Sequence, residues 1–110
     1  MEYLKLDKDI RSEYIFSNKD NDIKKLIIEK EYIWNFNLII PDTMIKLKKL
    51  SIDGLDNLII PDTLINLEKI SIGGSNITIP DTLINLEKIC ICGSNITIPN
   101  TLINLKELKI

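Results

Sequence analysis

One domain is all that 110 residues ordinarily support, and 14 basic against 16 acidic side chains leave a formal charge of −2, which gives no reason to expect a polyanionic ligand. Histidine is missing altogether, which removes the commonest general base near neutral pH and the commonest metal ligand. No apolar run approaches the roughly 20 residues of a membrane span. The opening MEYLKLDKDIRSEY lacks the long apolar core of a secretory signal, so a cytoplasmic protein is expected.

Six segments share one pattern, an apolar pair that brackets a single residue. In chain order the pairs are Leu4/Leu6, Leu26/Ile28, Leu50/Ile52, Ile70/Ile72, Ile89/Ile91 and Leu108/Ile110. Another apolar side chain stands three places before each: Met1, Ile23, Leu47, Leu67, Leu86 and Leu105. The alternation inside each pair has the two-residue period of a half-buried strand. Six short parallel strands about 4.8 Å apart would form a sheet on the order of 25 Å long.

The first third of the chain is irregular. Residues Ser17 to Asp22 read as a polar turn between coils, with Asp20 and Asp22 facing solvent, since the spacing and glycine of a calcium loop are missing. All six aromatic residues fall before position 37 (Tyr3, Tyr14, Phe16, Tyr32, Trp34 and Phe36). Tyr32, Trp34 and Phe36 fill a long connection after the second pair. A terminal cap is one reading, because end repeats must close the core. An aromatic binding bulge is the other, because Trp and Tyr are enriched in interaction hot spots.

From residue 57 the wording repeats. NLIIPDTLINLEKISIGGS (57–75) is followed by NITIPDTLINLEKICICGS (76–94) and NITIPNTLINLKELKI (95–110). Pro41, Pro61, Pro80 and Pro99 are spaced 20, 19 and 19 residues apart. A period near twenty with apolar residues at fixed offsets predicts stacked coils that lend one another a core. After each strand Ser75-Asn76 and Ser94-Asn95 begin the return, and a buried asparagine there would bond loop backbone of its own and the adjacent coil. Pro80 opens a back wall in which one turn of helix could form. Leu64, Leu67, Leu83 and Leu86 would face inward from that wall, and Ile77 and Ile79 would fill the corner. The glycines Gly54, Gly73, Gly74 and Gly93 mark the bends.

The last pair leaves Leu102, Leu105, Leu108 and Ile110 as an uncovered apolar end with a free strand edge, and such edges recruit another chain. Self-association through a symmetric end-to-end dimer is expected, with a longer gene product as the alternative.

With these residues in view, the chain resembles the leucine-rich repeat family, whose L-x-x-L-x-L precedes an Asn and whose return runs through I/L-P-x-x-L-x-x-L. IPDTLINLEKISIGGSN carries nearly every element, with the Asn one place later than usual and Ser75 and Ser94 at the family's site. The resemblance covers 41–110 closely and 1–40 loosely. It implies a single domain over 1–110, with irregular coils or a cap over 1–40 and regular repeats over 41–110. The implied fold is a mostly β, α/β-type solenoid, a right-handed coil with about six parallel strands. At nineteen or twenty residues per repeat, its back wall is extended or a single 3₁₀ turn. The wording also looks like repeat proteins of amoebae and of the giant viruses that infect them, which would place a viral protein in the host cytoplasm.

In that family the outward face of the strands is the usual ligand surface. Here it carries Lys5 and Asp7, Ile27 and Glu29, Ser51 and Asp53, Ser71 and Gly73, Cys90 and Cys92, then Lys109. The resemblance therefore implies a protein partner docked on Ser51, Asp53, Ser71, Cys90 and Cys92, or on Tyr32, Trp34 and Phe36. The flanking pairs Lys48-Lys49, Glu68-Lys69, Glu87-Lys88 and Lys106-Glu107 are mixed in sign and form no continuous basic stripe, so nucleic acid is not expected. Cys90 and Cys92 could be half of a metal site, but no histidine or second cysteine pair completes it, and small-residue drift from Ser51 and Ser71 explains them more simply. Asn76 and Asn95 each begin a glycosylation sequon that recurs because the repeat recurs. No nucleophile–base pair, phosphate loop or paired buried carboxylates can be assembled. A binding module without catalysis, cofactor or metal is the expectation, with a self-assembling structural subunit as its rival.

Overall fold

The computed structural model describes residues 3–6, 15–29 and 39–110. The six pairs of the pattern are the strands of one parallel sheet. They are β1 (Tyr3–Leu6), β2 (Lys25–Ile28), β3 (Lys49–Asp53), β4 (Lys69–Gly73), β6 (Lys88–Ile91) and β8 (Glu107–Lys109), and they stand in that order across the sheet. Two further strands, β5 (Ser75–Thr78) and β7 (Ser94–Thr97), form a second, two-stranded parallel sheet at the corner of the coils. The chain is a β-solenoid with almost no helix, a right-handed coil of parallel strands.

Register follows the repeat without slippage. Leu4, Leu26, Leu50, Ile70, Ile89 and Leu108 are successive partners, as are Leu6, Ile28, Ile52, Ile72 and Ile91 two places on. A slip of one residue would turn each of these files to water, so the buried alternation fixes the pairing. The core is one continuous cluster. It takes the sheet's inward files from Leu6 and Leu26 through to Ile89 and Ile91, the wall residues Met44, Leu47, Leu64, Leu67, Leu83 and Leu86, and the corner residues Ile60, Ile77 and Ile79.

The back wall is a pair of tight turns in each coil. Leu64 N–H donates to the Pro61 carbonyl at 3.4 Å and Leu67 N–H to the Leu64 carbonyl at 3.1 Å, and Pro80, Leu83 and Leu86 repeat the arrangement at 3.3 and 3.2 Å. Carbonyls between these turns have no strand ladder to join, and side chains of the next coil satisfy them. The Asn66, Asn85 and Asn104 amides donate to the carbonyls of Ile45, Ile65 and Ile84 at 2.7, 2.8 and 2.8 Å. The Thr63, Thr82 and Thr101 hydroxyls donate to the carbonyls of Asp42, Asp62 and Asp81 at 2.6, 2.6 and 3.1 Å. Pro-Asp-Thr-Leu-Ile-Asn-Leu is thus a wall whose polar letters bind coil to coil.

The asparagines expected to be buried after the strands are exposed instead. Asn57, Asn76 and Asn95 take left-handed backbone, at φ of 62°, 58° and 56°, a region that asparagine tolerates better than most residues. Their side chains sit outside the bend, where the Asn95 amide donates to the Asn76 side-chain oxygen. Within the bend, the two glycines are demanded by the neighbouring coil. A β-carbon on Gly74 would collide with the Leu55 carbonyl, and one on Gly93 with the Gly74 carbonyl.

The turn at 17–22 also differs from expectation. Asn18–Asp20 is a 3₁₀ turn, and Asp20 is buried, with its carboxylate accepting from Ser17 N–H at 3.1 Å. Its capping position holds it inside, where the absence of a calcium motif says nothing about burial. Asp22 does face solvent, pairing with Lys46 of the next coil at 2.8 Å. Tyr32, Trp34 and Phe36, the expected cap or aromatic bulge, lie outside the described residues.

Candidate functional site

The strand ladder sorts the outward side chains into files. One runs Tyr3, Lys25, Lys49, Lys69, Lys88, Glu107, and the next runs Lys5, Ile27, Ser51, Ser71, Cys90, Lys109. Four lysines therefore stand side by side on adjacent strands. Along the chain no continuous basic stripe shows, because each lysine follows a neighbour of either sign (Lys24, Lys48, Glu68, Glu87), and only the register separates the two positions. Like charges directly opposite one another across strands are destabilising.

The ends of the face are neutralised and its middle is not. Lys5 pairs with Glu29 at 3.1 Å, and Glu107 receives both Lys88 at 3.3 Å and Lys109 at 3.1 Å. Hydrogen bonds from Lys109 and Lys88 hold the Glu107 carboxyl below its ordinary range, and Glu107 holds the Lys109 ammonium above its own. Lys25, Lys49 and Lys69 have no ion-pair partner among the described residues. These three line a shallow groove of about 330 Å³ with Ile27, Ser51, Ser71 and Cys90.

Of the residues singled out in the sequence, Ser51, Ser71 and Cys90 come together as the half-buried floor of this groove. Asp53 lies beyond it, exposed, with its carboxylate over Gly73, where an added β-carbon would come within 3.1 Å. Cys92 is exposed past the end of β6 and lines a smaller hollow with Cys90, Lys109 and Ile110. Both thiols are free. At the last strand Leu105 is half-buried, Leu108 is 45% exposed and Ile110 is 90% exposed, while Leu102 is buried at 8%. Leu102 therefore belongs to the core rather than to an uncovered end, because the preceding coil covers it.

Two features escaped the sequence reading. Ile45, Ile65, Ile84 and Ile103 form an exposed file along the back wall, one per coil. Their place in T-L-I-N-L (T-M-I-K-L around Ile45), between two inward apolar side chains, is the signal that they face out. A larger hollow of about 570 Å³ lies outside β5 and β7, with Ile59, Thr78 and Thr97 along it and Asp62 and Asp81 at its edge. Its member Asn76 is already engaged in the asparagine ladder.

No family model matches the chain, and no curated protein or solved structure matches it. No helix among the described residues is long and apolar enough to cross a membrane.

Proposed function

We propose that the chain is a non-catalytic protein-interaction module of the leucine-rich repeat type, which holds another protein on the outward face of its six-stranded sheet. One observation carries this reading. The middle of a regular sheet presents three lysines that have no ion-pair partner among the described residues, beside a floor of small side chains, an arrangement that costs the fold stability. Repeat scaffolds offer such extended faces to partners. The same reading places the molecule in a reducing cytoplasm, that of an infected host cell if the chain is viral, where Cys90 and Cys92 would stay free. The test is affinity capture from cell extract by the chain and by a Ser71→Glu, Cys90→Glu double variant with unchanged circular dichroism. Loss of the captured protein is expected, and equal capture by both would refute recognition through the sheet.

A second reading, a subunit that assembles with copies of itself, is favoured by β8. Its outer edge is unpaired among the described residues, and Leu108 and Ile110 stand exposed beside it. Light scattering over a range of concentrations tests it. A mass that falls to the monomer with Leu108→Glu and Ile110→Glu would support assembly through this edge, and a concentration-independent monomer would end the idea.

A further inference from the structure

The lysine file has a length and a spacing, and both bear on what it receives. We propose that Lys25, Lys49 and Lys69 bind an acidic α-helix of the partner protein, with carboxylates three and four residues apart along one face. This inference rests on the sheet-face reading above and names the chemistry of its partner.

Strands about 4.8 Å apart set the roots of the three lysines across about 10 Å. A helix rises 1.5 Å per residue, so same-face carboxylates at i, i+4 and i+7 also span about 10 Å. In an extended peptide, three same-face side chains span about 13 Å, which overshoots the file. The file is also bounded. Glu107 closes one end by pairing with Lys88 and Lys109, and at the other the file ends on the uncharged Tyr3 opposite Lys25. Those pairs, with that of Lys5 and Glu29, occupy lysines on the outer strands of the face, so its unpaired positive charge among the described residues is short and matches a short run of acids. Ser51, Ser71 and Cys90 keep the floor low enough for a helix to approach, and Ile27 offers it an apolar contact at the β2 end.

Nucleic acid fits the face less well. Single strands are held by successive aromatic stacks beside the positive charge, and among the described residues only Tyr3, opposite Lys25, stands beside the file, with none lining the groove.

Fluorescence anisotropy with the full 110-residue chain tests the assignment. The probe is a labelled alanine-based helical peptide carrying three glutamates at the stated spacing, titrated at low and high ionic strength. Binding that weakens with salt is expected, and Lys25→Gln, Lys49→Gln, Lys69→Gln should weaken it about tenfold, the product of three exposed pairs. Lys19→Gln, Lys46→Gln, Lys106→Gln removes the same charge elsewhere and should leave affinity nearly unchanged. Equal losses in the two triple variants would reduce the effect to net charge and overturn the proposal. So would tighter binding of an oligothymidine, or equal binding of a proline-broken peptide with the same three glutamates. If the helical peptide fails to bind while Ser71→Glu, Cys90→Glu still loses its captured protein, the acidic helix falls and the sheet-face reading stands.

Discussion

Two coils with nearly the same wording have different interiors. In the coil running through β6, Leu86 and Ile89 are fully buried and Ile91 is 9% exposed, whereas their counterparts Leu105, Leu108 and Ile110 in the coil of β8 are half-buried, 45% and 90% exposed. Ile77 and Ile79 are likewise buried where Ile96 and Ile98 are only partly so, though the residues are identical. Burial here belongs to the neighbour above as much as to the residue. An interior coil is covered on both sides, and the last is covered on one.

The sharpest way to break this contrast is truncation at matched positions. Leu86→Ala should cost about 3 kcal/mol and Leu105→Ala only about 1 kcal/mol, read from urea unfolding. Equal losses would mean that the β8 coil is covered in solution too, as the assembly reading requires. Gly74→Ala should come next, at about 2 kcal/mol, because its new methyl meets the backbone of the coil before it, an overpacking that cannot relax by a rotamer change. A loss no larger than that of an exposed residue would show that the bend can open.

Smaller effects sharpen the comparison. Asn85→Ala and Asn104→Ala each remove a bond to the preceding coil, so both should cost about 1 kcal/mol despite their different depth in the stack. Lys49→Gln should raise stability by about 0.5 kcal/mol by relieving its like-charged neighbours, and a loss instead would contradict the unneutralised file. The least effect is in pH. Glu107 has its folded pKa below the ordinary 4.5, so the stabilisation it lends the β8 coil is present above that value. It is lost as pH falls through the folded pKa, and hydrogen exchange in β8 should speed up in that window. Glu107→Gln should remove the acid-dependent part.

Much of the fold was legible because apolar letters carry the period. The six strands, the inward leucines of the wall and the corner isoleucines follow from offsets alone. The polar network was not legible in the same way. Asn76 reads as a candidate for burial, yet left-handed backbone sets it outside, and backbone sign is not written in a residue's polarity. The second sheet was missed because Asn-Ile-Thr resembles any turn until a copy of itself lies beside it. Half of the site was visible, in Ser51, Ser71 and Cys90. The lysine file was hidden, since Lys69 and Lys88 each follow a glutamate and only strand pairing shows that the two sets of charges stand in separate rows.

The cross-coil bonds of asparagine and threonine on the back wall all reach about one repeat backwards. A gene of this kind tolerates copying errors that add or drop whole units, since every bond then finds an equivalent acceptor on whichever rung comes before. Loss of one codon inside a unit shifts that rung against both neighbours and turns its greasy side outward. Slippage between near-identical stretches can therefore change the length of the molecule while leaving its pattern intact.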